Sequence, residues 1–117
     1  MTYSEHLRKP ITMPKFVVER TVPGAGTLTQ HQLQEIAAKS NATIAGLGEP
    51  YVWHTSYVAG DKIYCVHEAE NAEAIYRHAK QGGFPADKVT MVEAIIAPAT
   101  ARDPAAEPLW PPRQFVA

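Results

Sequence analysis

At 117 residues, with 45% hydrophobic and 20% charged residues, the chain suits one domain with a core of its own, and a second domain is not expected. A net charge of -1 and a pI of about 6.5 give no field that would draw in nucleic acid or an anionic membrane. One cysteine cannot close an intrachain disulfide, the opening residues lack a secretion signal, and no run reaches the roughly 18 to 20 apolar residues of a membrane span, so a reducing cytoplasm is the expected location.

Residues 1–12 show no sustained periodicity and read as an arm. The domain is expected over 13–100. Lys15 to Val22 is β-rich and stops at Pro23-Gly24, which predicts a first strand with Val17 and Glu19 on one face. Gly24-Ala25-Gly26 reads as a turn, since it lacks the third glycine of a dinucleotide fingerprint. Thr29 and Gln32 have capping-box spacing, and Leu33, Ile36, Ala37, Ser40, Ile44 and Leu47 recur at helical spacing, so a helix is predicted from Thr29 to Ala45, stopped by Gly46 and Gly48. Tyr51–Val58 and Asp61–Glu68 read as strands joined through Gly60-Asp61, a tight-hairpin signal. Asn71 can cap a second helix with the stripe Ala72, Ile75, Tyr76 and Ala79, stopped by Gly82-Gly83. Lys88 to Ile96 is the last strand, long enough to cross a small sheet.

The order β-α-β-β-α-β is that of the α+β, ferredoxin-like split βαβ fold, a four-stranded antiparallel sheet with two helices on one face. The opposite face needs a cover. The 101–117 tail holds Pro104, Pro108, Pro111 and Pro112, which disfavour a helix or inner strand, while Leu109, Trp110, Phe115 and Val116 are more apolar than a solvated tail needs.

Cys65 and His67 are two apart on the third strand and share a face. A two-residue hairpin loop sets His54 opposite His67 and Ser56 opposite Cys65; a one-residue slip would bring Trp53 opposite His67 and turn His54 away. With Glu19, these residues form a set of thiolate, imidazole and carboxylate donors suited to nickel, zinc or copper. The spacing matches no metal motif, and a lone strand cysteine is most often a small buried hydrophobe. His31 and His6 read as solvated. His78 lies beside the second helix's stripe, so it meets Cys65 only if Cys65 faces the helices; with Cys65 on the open face they stay apart. For acid–base chemistry, His54 or His67 with Tyr57, Tyr64 and Glu93 would be the candidates.

Taken in order, Phe16-Val17-Val18-Glu19-Arg20 with Pro23-Gly24, Trp53 and Ser56-Tyr57-Val58 leading into Gly60-Asp61-Lys62 and Tyr64-Cys65-Val66, and Glu73-Ala74-Ile75 with His78-Ala79 and Gly83-Phe84-Pro85 resemble a family of small bacterial ferredoxin-like proteins, some described as nickel-binding. The resemblance spans about Met13 to Thr100. It implies a homodimer of the dimeric α+β barrel type that buries the open sheet faces, and a site for nickel or another divalent transition metal. Glu19, Cys65 and His78 carry over to that site, with Ser56 and Tyr57 as neighbours; His54 and His67 are additions of this chain. The expected function is metal binding in homeostasis or sensing rather than catalysis. The alternative is a small cofactor-free enzyme with an organic substrate between helices and sheet, in a pocket lined by Val18, Val66 and Ile75.

Overall fold

The computed structural model describes residues 13–102, so the expected arm and almost all of the expected tail lie outside the described residues. The elements are β1 (Lys15–Thr21), a 3-10 turn (Ala25–Thr27), α1 (Gln30–Leu47), β2 (Tyr51–Ala59), β3 (Lys62–Ala69), α2 (Ala72–Gly82), β4 (Lys88–Met91) and a 3-10 turn at Pro98–Arg102. The sheet runs β2-β3-β1-β4 with every pair antiparallel, the split βαβ arrangement expected from the order of elements.

Alternation sorts the two faces of the sheet. Phe16, Val18 and Arg20 on β1, and Ile63, Cys65, His67 and Ala69 on β3, are buried on the side that packs against the helices. Val17, Glu19, Tyr64, Val66 and Glu68 occupy the other face and are half-buried. Val18 and Ile75 lie at the centre of the core, fully buried, whereas Val66 points away from them. The three residues expected to line one pocket therefore do not share a face of the sheet.

Both helices start on side-chain caps. Thr29 Oγ1 accepts from the Gln32 backbone N–H (3.1 Å) while Gln32 Oε1 accepts from the Thr29 N–H (2.9 Å), a complete capping box. Asn71 Oδ1 accepts from the Ala74 N–H (3.0 Å). The C-terminal stop of α1 is Gly48, in the left-handed region at φ 70°, and Gly46 is simply part of the helix. The stripe predicted for α1 is its inner side, yet only Ser40 is fully buried and the apolar members are half-exposed. On α2 the buried side is Ala74, Ile75, His78, Ala79 and Gly82. Tyr76, expected in the stripe, is 49% exposed, because the packed face lies on the Ala74–His78 side of Ile75.

The hairpin and last strand correct two details of register. The Gly60-Asp61 loop pairs Ala59 with Lys62 and Ser56 with Cys65 as predicted, but a bulge at His54 brings Trp53 opposite His67. The extra residue turns His54 to the open face, so the expected His54–His67 pairing does not form. β4 ends at Met91 rather than Ile96: its partner β1 begins at Lys15, whose carbonyl takes one last bond from the Val92 N–H, after which no β1 residue remains to pair. The hairpin turn is tied to the loop after β1 by Gly24 N–H to Asp61 Oδ1 (2.9 Å) and Gly26 N–H to the Gly60 carbonyl (2.8 Å).

Candidate functional site

On the helix side of the sheet, β1, β3, α1 and α2 converge on a cluster of polar and aromatic side chains. Arg20, His67 and His78 are 4%, 1% and 1% exposed. They are there because period-2 alternation places Arg20 in line with Phe16 and Val18, and His67 in line with Cys65, while His78 belongs to the inner side of α2. His67 Nδ1 is bonded to the Tyr51 hydroxyl (2.6 Å) and His78 Nε2 to Ser40 Oγ (3.1 Å). The two imidazole centroids are 5.2 Å apart, and His78 lies stacked between Tyr51 (4.9 Å) and Phe84 (5.5 Å). His78 Nδ1 is buried with no partner among the described residues.

Charge in this cluster comes from Arg20. Its Nε donates to Cys65 Sγ (3.3 Å), its Nη1 donates to the Pro85 carbonyl, and its guanidinium lies 5.6 Å from the Phe84 ring centre. No carboxylate among the described residues is within ion-pairing distance; Asp87 feels the charge but accepts instead from the Thr21 N–H (2.5 Å). Burial pushes His67 down to about 3, helped by His78 and Arg20, and burial with Arg20 pushes His78 down to about 4. Both imidazoles are thus neutral at pH 7. Burial also holds the Tyr51 phenol well above its ordinary value, so it stays protonated.

Beside these groups opens a pocket of about 40 Å³ lined by Arg20, Ser40, Trp53, Ser56, His67 and His78, together with Ile36 and Phe84. Among the lining residues, Trp53 Nε1 donates to Ser56 Oγ (2.9 Å). A larger apolar cleft of about 390 Å³ separates α1 from β2, between Leu33, Ile36, Ala37 and Trp53, Val58, Ile63, with His54, Thr55 and Ser56 at its rim. That cleft explains why the apolar side of α1 is only half-buried.

The sheet divides the residues selected from the sequence. Cys65, His67, His78 and Ser56 fall on the helix side; Glu19, His54 and Tyr57 fall on the open face. His54 Nε2 there bonds Glu68 Oε2 (2.5 Å), which Lys15 also approaches (3.4 Å), and the His54 bond leads in holding the Glu68 carboxyl below its usual range. The acid–base set is divided too: Tyr57 and Tyr64 are cross-strand neighbours on the open face, His67 is on the other, and Glu93 is exposed beyond β4. His31 is exposed, 3.6 Å from Glu35. Among the described residues, no three His, Cys, Asp or Glu side chains converge as a ready metal cage.

The sequence reading passed over Arg20, Ser40, Tyr51, Trp53 and Phe84 as site residues. Alternation was the available signal for Arg20, since it sits at the next inward position after Val18. Ser40 was in the apolar stripe of α1, where a polar residue at a buried position calls for a partner.

The residue types suit nickel. Two imidazoles held neutral, one with an orphaned ring nitrogen, and a thiol on the same side of the sheet are borderline-to-soft donors. A divalent ion would have to displace the guanidinium from Cys65 and free a ring nitrogen of His67, whose Nδ1 is bonded to the Tyr51 hydroxyl.

Comparison with known proteins agrees with the fold and places the chain in a family. No curated protein matches it. The crystal structure of SCO4226 from Streptomyces coelicolor A3(2) matches with a TM-score of 0.59 at 24% identity, over 70% of this chain and 99% of that one, which shows a shared fold. Among the described residues no helix is long and apolar enough to cross a membrane. Residues 16–92 match the family described as nickel responsive protein SCO4226-like, which takes in every strand and both helices apart from the first residue of β1, and the chain belongs to that family.

Proposed function

We propose that this protein binds nickel or a similar divalent ion in metal homeostasis or sensing, with His67 and His78 as imidazole ligands and Cys65 as the thiolate. The observation that carries the reading is His78 Nδ1, a buried ring nitrogen with no partner among the described residues, beside a second neutral imidazole. Leaving such an atom unpaired costs about 1 to 3 kcal/mol, and a metal ion would remove that cost. When Ser40 Oγ accepts from His78 Nε2–H, Nδ1 carries the free lone pair that a ligand needs. Nickel bound here would supply a Lewis-acidic centre whose occupancy reports metal supply. Cys65 joins once Arg20 leaves its sulfur, so occupancy is coupled to a side chain that also contacts Pro85 and Phe84.

Glu19 and His54 belong to a separate proposal, since they lie on the open face. That face presents Val17, Tyr64 and Val66 with the more exposed Val52 (40%) and Tyr57 (62%), an apolar strip bordered by Lys15, Glu19 and Glu68. We assign it to a homodimer in which two open faces meet, with Glu19 and His54 on the seam and apart from the metal.

A second reading has one observation in its favour. The 390 Å³ cleft between α1 and β2 falls within the ~300–1,000 Å³ typical of small-molecule sites, whereas the 40 Å³ pocket does not. An organic ligand, with or without a reaction, would bind in the cleft rather than in the cluster. Native mass spectrometry of tag-free protein with limiting nickel, zinc and copper separates the two. The metal reading expects a dimer that takes up a fixed whole number of ions and loses uptake in His78→Ala. A dimer that stays metal-free in all three titrations would transfer the function to the cleft.

A further inference from the structure

Arg20 presents a problem that the metal reading does not solve. Its guanidinium is buried, and among the described residues it has a thiol, a carbonyl and a ring face but no carboxylate. A buried cation without a counter-charge costs several kcal/mol even after relaxation. A protein that retains one without a partner of its own commonly takes the counter-charge from a ligand.

The small pocket at Arg20 has the lining to receive it. Ser56 Oγ accepts from the Trp53 indole N–H, which leaves the serine O–H as a free donor. His67 Nδ1 is bonded to the Tyr51 hydroxyl, and the tautomer in which that hydroxyl donates puts the His67 proton on Nε2. Donors therefore come from Arg20, Ser56 and His67, and among the described residues no acidic side chain lines the space. A pocket of about 40 Å³ exceeds what one water requires and is far too small for a nucleotide or a sugar phosphate. From these features we infer that the Arg20 pocket binds a small monovalent anion of the size of chloride or formate. The site stands without any metal and extends beyond the nickel reading.

The test uses the full-length chain, stripped of metal with a chelator, titrated with sodium formate and separately with sodium chloride. Ionic strength is held constant with sodium gluconate, whose anion is too large to enter. The readout is the NMR resonance of the Trp53 indole N–H, which lines the pocket, told apart from that of Trp110 with the variant Trp110→Phe. Wild-type protein should show a saturable shift with at least one of the two anions. Ser56→Ala, which removes one donor from a half-buried edge position, should weaken binding about tenfold. Arg20→Gln should abolish it if that variant folds; if it does not, the wild-type and Ser56→Ala titrations still decide. A linear, unsaturated drift with both salts would overturn the proposal, as would equal affinity in wild type and Ser56→Ala.

Discussion

The two buried histidines make stability fall steeply between pH 7 and pH 5. In the unfolded chain each imidazole titrates near its ordinary value of ~6.5, whereas in the fold His67 and His78 remain neutral until about 3 and about 4. Across this window the unfolded state binds more protons than the folded state, so stability increases with pH and is lost as pH drops. Each histidine contributes a slope approaching ~1.4 kcal/mol per pH unit below pH 6.5, and the pair together approach ~2.7. From pH 7 to pH 5 the expected loss is about 4 kcal/mol, a large part of the 5 to 15 kcal/mol that stabilises a typical domain. The carboxylates held below their usual range, Glu49, Glu68 and Asp87, begin to lose their contribution only below about pH 4.5, outside this window. Urea unfolding of metal-free protein at half-unit pH steps measures the slope directly. His78→Phe keeps an aromatic ring between Tyr51 and Phe84 while removing one titrating group, so its slope should be about half that of wild type, whatever its absolute stability. A wild-type change under about 1 kcal/mol from pH 7 to pH 5, or a full slope in His78→Phe, would refute the placement of these imidazoles.

Thr29→Ala removes the side-chain half of the capping box and should cost about 1 kcal/mol in urea unfolding, with Thr29→Ser close to wild type. Gly82→Ala places a Cβ against the ring of Phe84, 2.6 Å from Cδ2, and 3.2 Å from Thr43 Oγ1. The overpacking should outweigh the gain in helix propensity and destabilise by about 1 to 2 kcal/mol, seen as a lower thermal midpoint; an unchanged or raised midpoint would mean that Phe84 moves aside freely.

How far the sequence revealed this architecture varied with the range of the interactions involved. Both caps, the Gly60-Asp61 loop and the order of elements were legible because each depends on residues within a few positions of one another. The end of β4 was not, because Val92 to Ile96 has strand-like residues but β1 has no backbone left to pair with them. The bulge at His54 was similarly hidden: nothing in Trp53-His54-Thr55 announces an extra residue, yet that residue decides which face His54 joins. Among the candidate residues, Cys65 and His67 stood out by residue type and His78 by its place beside the second helix's stripe and by the family resemblance, while the choice between the two faces awaited the core. Arg20 escaped notice because a charged residue on a strand is ordinarily read as solvated. Its alternation with Phe16 and Val18 was the opposing signal, and in the fold that signal prevailed.

The central claim is that nickel is held on the helix side of the sheet by Cys65, His67 and His78. X-ray absorption at the nickel edge, on protein loaded with one equivalent of nickel per bound site, tests it most directly. The account predicts a sulfur shell together with imidazole scattering in wild type, loss of the sulfur shell alone in Cys65→Ser, and an unchanged spectrum in His54→Ala. A wild-type spectrum of oxygen scatterers without imidazole, or one altered by His54→Ala and indifferent to Cys65→Ser, would contradict it and move the metal to the open face.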